Sequence, residues 1–225
     1  MFSYCKNLAT APSIQVTATT NAKLYQSFMF FSCTTLSSGP ALLAASIPVS
    51  GCYRMFYACT SLVNPPSLSS VTQIDSGGCG YMFEKCTSIT AVTDFPSIVG
   101  CTSYYGMFSG CTGLVNAPEL PATTLAYRCY FSMFDGCSNL ITAPVLPATT
   151  LESGCYNYMF RGCGKLNYIK AMFTTTPSTS YTNNWVSGVA SSGTFVRNPS
   201  ATWQDSIARG ASTVPTGWNI EAASS

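Results

Sequence analysis

The sequence predicts a mainly β and irregular repeat solenoid of about seven turns, with short parallel strands and a C-terminal cap. Three observations carry that expectation. A unit recurs every 25 to 28 residues, it is too short to bury a core alone, and the composition changes after Phe173.

The unit is Met-Phe-x-x-Cys-x-x-Leu/Ile. It starts at Met1, Met29, Met55, Met82, Met107, Met133 and Met159, at intervals of 28, 26, 27, 25, 26 and 26 residues. Six copies end in Leu8, Leu36, Leu62, Leu114, Leu140 and Leu166, and Ile89 closes the fourth. A proline follows at Pro12, Pro40, Pro66, Pro118 and Pro144, with an apolar residue two beyond it at Ile14, Leu42, Leu68, Leu120 and Leu146. A second cysteine column runs through Cys52, Cys79, Cys101, Cys129 and Cys155. So few apolar positions can form an interior only if neighbouring units stack and their Met, Phe, Cys and Leu columns merge. The Leu-x-x-Ala-Pro-x-Leu stretch reads as a strand of a parallel sheet, cut short by its proline. The rest of each unit should return through turns, with little helix.

Residues 1–173 are therefore assigned to the repeats and 174–225 to a C-terminal capping module. The latter is rich in Thr, Ser and Asn and holds Trp185, Trp203 and Trp218. Within it, Thr194 to Arg197 and Trp218 to Ile220 read as strands, Val214 to Gly217 as a turn, and Thr182 to Trp185 as the start of a short helix. The tryptophans read as core of the cap, with stacking on sugar rings as the alternative.

Composition narrows the function classes. Only 8% of residues are charged, against about 25% in an ordinary soluble domain. Ser, Thr, Asn, Gly and Tyr fill the deficit, as in secreted, cell-surface and viral proteins. The net charge is +2 and the basic residues are scattered singly, which argues against a nucleic-acid partner. No apolar run is long enough to insert in a membrane. The chain has no histidine, so neither a Ser-His-Asp nor a Cys-His arrangement can be built from it. No Gly-x-Ser-x-Gly elbow is present, and Glu119 and Asp135 are expected on different faces, too far apart for a glycosidase pair. No cofactor, metal site or catalytic residue is assigned.

The twelve cysteines admit three readings. Metal binding wants close pairs such as C-x-x-C, and none occurs. Disulfides between neighbouring units would be within bridging range. Buried free thiols acting as small apolar wedges are favoured by columns of seven and five members. The tyrosines Tyr53, Tyr81, Tyr104, Tyr130 and Tyr156 precede successive Met-Phe pairs and read as one stacked structural column, with ligand contact as the alternative.

The Phe-x-x-Cys-x-x-Leu pattern with its apolar-Pro element resembles the BspA-like leucine-rich repeats of anaerobic oral and gut bacteria. The resemblance covers residues 1 to about 173. It implies a right-handed leucine-rich-repeat-like solenoid used for adhesion or recognition outside the cell or on its surface. Departures are the Met before each Phe, the Ala-Pro inside the strand, and a period near 26 residues. The Met-Phe-x-Gly-Cys units are also similar to repeats in surface proteins of gut bacteria and in proteins of their phages. A receptor-binding or structural segment of a phage tail or fibre is thus the second reading, with a virion-tail location, and an enzyme is a distant third.

The variable strand positions are the candidate binding residues for a protein or glycan ligand, on the concave strand face of such a solenoid. Asn64, Asn116, Glu119, Thr142, Asn167 and Tyr168 are singled out, with Ser37, Ser38, Val63, Val115 and Ile141 beside them. Repeat one has no cap before it and is expected to pack against a preceding region or another chain.

Overall fold

A computed structural model describes residues 2–11, 26–42, 45–93, 95–96, 98, 104–203 and 207–224. The expectations placed on Met1, Pro12, Ile14 and Cys101 lie outside these residues.

The most regular part of each repeat is a run of tight turns through the Met-Phe-x-x-Cys segment. In the third repeat the amides of Cys52, Arg54, Phe56 and Ala58 donate to the carbonyls of Gly78, Gly80, Met82 and Glu84 one repeat on, at 2.8–3.0 Å. The amides between them, of Tyr53, Met55, Tyr57 and Cys59, donate three residues back, to Ser50, Cys52, Arg54 and Phe56. Every backbone donor over this stretch is therefore used, half of them to hold neighbouring repeats together. A left-handed residue at every fourth position lets the chain do this, with φ of 55° at Ser50, 50° at Arg54 and 55° at Ala58. Non-glycine residues cost about 1–2 kcal/mol in that region. The later repeats avoid the cost at the last of these positions by placing glycine before the cysteine, as at Gly136 (φ 76°) and Gly162 (φ 74°), while Arg128, Ser132 and Tyr158 still bear it.

The columns inferred from the repeat form the core. Met55, Phe56, Cys59 and Leu62, and their counterparts up to Met159, Phe160, Cys163 and Leu166, are buried. Seven phenylalanines from Phe2 to Phe160 stack ring on ring with centroids 5.2–5.8 Å apart and interplanar angles of 16° or less. Each ring thus serves as the floor of one neighbour and the roof of the other.

The expected solenoid sheet is not formed. Among the described residues there are five short strands in two small parallel sheets. β1 (Ser46–Ile47) pairs with β2 (Gln73–Ile74), and β3 (Tyr168–Ala171), β4 (Thr194–Arg197) and β5 (Asn219–Ala222) form the second sheet in that order. Elsewhere the predicted strands shrink to single-residue parallel bridges, such as Ser38 to Asn64 and Asn116 to Thr142. The leucine-rich-repeat-like, right-handed, seven-turn assignment is overturned by this, and with it the concave sheet face. Proline supplies the physical reason. Pro40, Pro66, Pro118 and Pro144 sit two residues beyond the bridge position and have no N–H to continue a ladder. At the equivalent place β3 carries Lys170 and β4 carries Val196, and there four-residue strands form.

The C-terminal segment stays in register with the repeats. Phe160 and Gly162 donate to Trp185 and Ser187, continuing the bonds that Phe134 and Gly136 make to Met159 and Arg161. Trp185 therefore takes the place of the methionine and is fully buried, its indole donating to the Thr213 carbonyl at 2.7 Å. Trp203 and Trp218 are buried as well, so all three tryptophans belong to the core. Strand β4 falls where the sequence places it, and β5 overlaps the expected strand but starts one residue later and ends two later. The helix is displaced: α1 spans Thr179–Thr182, capped by Ser178, and ends where a helix was expected to begin.

Candidate functional site

Four of the six singled-out residues stand in one line. Parallel bridges join Asn116 to Thr142 and Thr142 to Tyr168, and Asn64 holds the same register position, bridged to Ser38. β3 extends the line through Tyr168 to Thr194 of β4 and Asn219 of β5. The side chains of Asn64, Asn116 and Thr142 are exposed and Tyr168 is half-buried. Asn64 donates its amide to the Ser38 hydroxyl at 3.3 Å, which fixes its orientation along the column.

The neighbouring position is apolar in places. Val63 and Ile141 expose 49% and 43% of their surface, and Asn167 occupies the same position in repeat seven. Glu119 lies apart from the column. It edges a groove of about 320 Å³ with Leu120, Pro121, Val145 and Pro147. A second groove of about 360 Å³ is lined by Val63, Asn64, Pro66, Thr90, Ala91 and Thr93. The second groove lies at Pro66, one of the prolines that interrupt the strands, whereas the first is lined by Pro121 and Pro147, three residues beyond Pro118 and Pro144.

The turn segments carry a second surface that sequence reasoning merged into one tyrosine column. Tyr104, Tyr130 and Tyr156 are buried and stack at 5.9 and 6.0 Å. Tyr53 and Tyr81 belong to a different, partly exposed group with Phe28, Phe31, Tyr57 and Tyr105. Glycine makes room for these rings. A Cβ on Gly106 would come within 2.2 Å of the Tyr81 ring, and one on Gly80 within 2.6 Å of the Tyr105 ring. The missed signal was the offset from Met: three residues for the buried tyrosines, one or two for the others.

Cations lie among these rings. The Arg54 guanidinium sits 5.0–5.5 Å from the ring centroids of Tyr53, Tyr57 and Tyr81, and 3.4 Å from the Glu84 carboxylate. Lys85 donates to the Tyr57 hydroxyl at 3.0 Å, a bond that holds its ammonium pKa above the ordinary value. Partial burial pushes the Glu84 carboxyl up, against the opposing pull of Arg54 and Lys85. Further along, Arg128 lies over Tyr127 and Phe131, and Arg161 lies over Tyr158 while its Nε donates to Asp135 at 3.0 Å.

The cysteines are neither paired nor clustered with other ligands among the described residues. Each thiol of the main column instead donates to the phenylalanine carbonyl of the preceding repeat: Cys59 to Phe30 at 3.0 Å, Cys111 to Phe83 at 3.0 Å and Cys137 to Phe108 at 3.1 Å. That carbonyl already accepts the amide three residues on, so the thiol fills its second lone pair. Desolvation pushes the Cys52, Cys59, Cys111 and Cys155 thiols up to about 12 and raises Cys79, Cys86 and Cys137 well above their usual value. A thiol so disfavoured as thiolate is a poor nucleophile.

No protein-family model matches the chain, and no curated protein or solved structure matches it either.

Proposed function

We propose that this chain is a recognition module of an extracellular or cell-surface protein, binding a protein or glycan ligand without catalysing a reaction. The observation that carries the reading is the in-register column of Asn64, Asn116, Thr142 and Tyr168, with exposed Val63 and Ile141 beside it. Amide, hydroxyl and apolar side chains repeated at the spacing of adjacent strands, about 4.8 Å, offer hydrogen bonds and contact area along a line. The resemblance of the repeats to BspA-like surface proteins agrees with it.

The test is binding of the purified chain to a glycan array and to a panel of anaerobic gut bacteria, repeated with the Asn64→Ala, Asn116→Ala and Thr142→Ala triple variant. Binding that the triple variant abolishes supports the reading. Binding that it leaves unchanged removes the column from the function. The second reading, a segment of a phage tail or fibre, draws on the exposed Val63, Ile141 and Val145, which suit burial between subunits. A trimer in light scattering, binding bacterial envelope glycans, would favour it over a monomer binding host glycans or matrix proteins.

A further inference from the structure

We propose that the turn segments carry a second binding site, formed by the Tyr57, Tyr81, Arg54 and Lys85 cluster and continued by Tyr127 and Arg128, for an anionic polysaccharide.

The argument starts from where the cations are. Cation–π pairs occur about once per 70–80 residues in ordinary structures, which would give about three here. Seven contacts occur among the described residues, all on the turn segments and made by four side chains, Arg54, Lys85, Arg128 and Arg161. Four of the ten basic residues of the chain thus lie against aromatic rings of the turn segments.

Two of those cations are matched by carboxylates, Arg54 by Glu84 and Arg161 by Asp135. Lys85 and Arg128 are exposed and make no ion pair among the described residues. Lys85 feels the Glu84 carboxylate through space, but that carboxylate is shared with Arg54, so the cluster keeps a positive excess. Arg128 also acts on Tyr81 through space, so the two ends of the cluster share one field. The unmatched charge therefore selects for an anion. It is too small for nucleic acid, whose binding rests on many phosphate contacts.

The rings decide the rest of the ligand. Tyr57 is held between Phe31, at 4.5 Å with 9° between the planes, and the Arg54 and Lys85 cations, and Tyr81 is seated over Gly106. These rings position the cations before any ligand arrives, and the open ring face is that of Tyr127. Tyr127 leaves 64% of its surface open. Aromatic faces take up the C–H faces of pyranose rings, and tyrosine hydroxyls supply hydrogen bonds at low entropic cost. Repeats spaced by about 4.8 Å advance by roughly one sugar unit. Weakly charged, ring-lined and periodic, the surface fits a polysaccharide bearing carboxylates or sulfates.

Calorimetric titration of the whole chain tests this, with polygalacturonate, chondroitin sulfate, dextran and oligothymidylate as probes. The expected result is binding to one or both anionic polysaccharides, weakened by salt and by about tenfold in the Lys85→Glu, Arg128→Glu double variant. Tyr127→Ala, which removes an exposed ring, is the second variant and should weaken binding as well. Preference for polygalacturonate over chondroitin sulfate would assign the contact to carboxylates, and the reverse to sulfates. Equal binding of dextran, tighter binding of oligothymidylate, no binding of either polyanion, or full affinity in both variants would overturn the proposal. The column variant Asn64→Ala, Asn116→Ala, Thr142→Ala should leave polyanion binding intact, so failure here is separable from failure of the column.

Discussion

Repeats two to six and the C-terminal end share one hydrogen-bond register, yet among the described residues only the end makes a sheet of more than two strands. The Met-Phe-x-x-Cys turns pass bonds from Phe2 to Trp185 without a break in pattern. The strand positions do not. With Pro118 and Pro144 in place they give single bridges, and with Lys170 and Val196 they give β3 and β4. Stacking therefore does not depend on a sheet in this chain. The turns hold the repeats together, and four-residue strands form where adjacent repeats both lack the proline. Repeat four lacks it alone, with Thr93 between Pro66 and Pro118, and gives a single bridge.

The thiols mark the same contrast and predict the largest effect. All twelve cysteines precede residue 164, and the C-terminal segment has none. Cys52, Cys59, Cys111 and Cys155 are protonated in the fold until about pH 12, whereas an unfolded thiol loses its proton near 9. Above pH 9 the unfolded chain binds fewer protons than the folded one, so stability falls as pH rises. Each such thiol withdraws about 1.4 kcal/mol per pH unit until its folded pKa is passed. Maleimide labelling should therefore find few reactive thiols at pH 8 and a cooperative increase between pH 9 and 12. The repeats should open before the tryptophan emission of the C-terminal end shifts. Simultaneous loss would mean that the two regions unfold as one unit.

Next in size is the phenylalanine column. Phe108 is fully buried and stacks on both Phe83 and Phe134. Phe108→Ala should cost about 3–5 kcal/mol in urea denaturation. A cost below about 1 kcal/mol would show that neighbouring repeats close over the gap and that the ring stack is not what binds them.

A smaller effect separates the thiol's hydrogen bond from its bulk. Cys137→Ala removes both the buried sulfur and the bond to the Phe108 carbonyl, and should cost about 1–2 kcal/mol. Cys137→Ser keeps a donor in place, so the difference between the two variants in the same denaturation experiment measures the bond. Serine no better than alanine would return the cysteine to a plain apolar wedge.

The core was legible because burial forces the same residue types to recur. Met, Phe, Cys and Leu columns read from the spacing are the buried columns. The sheet was only partly legible: the proline in Leu-x-x-Ala-Pro-x-Leu is expected to cut each strand short, and the donor it withholds goes further than that, leaving single bridges in place of strands. The continuation past residue 173 was hidden for a different reason. Trp185 and Val186 replace the Met-Phe pair, so the register survives while the letters change. Of the variable strand positions singled out, Asn64, Asn116, Thr142 and Tyr168 share one register position, whereas Glu119 lies beside a groove. The place of Arg54 among its rings was not legible because left-handed turns bring residues from two neighbouring repeats together without any motif in the chain.

The last expected effect is the smallest and bears most directly on the role of proline. Lys170→Pro gives the seventh repeat the residue that the second, third, fifth and sixth repeats already carry. If turns hold the stack and strands are only permitted, the variant should lose about one backbone hydrogen bond, roughly 1 kcal/mol. Its midpoint of thermal unfolding should move by a few degrees. Amide exchange should quicken at β3 and β4 while the amides of Phe134 and Phe160 stay protected. A loss above about 3 kcal/mol, with exchange quickening at those phenylalanines too, would mean that the three-stranded sheet anchors the turn ladder. The sheet would then be a requirement at that end of the chain, and the tolerance for proline in the earlier repeats would depend on it.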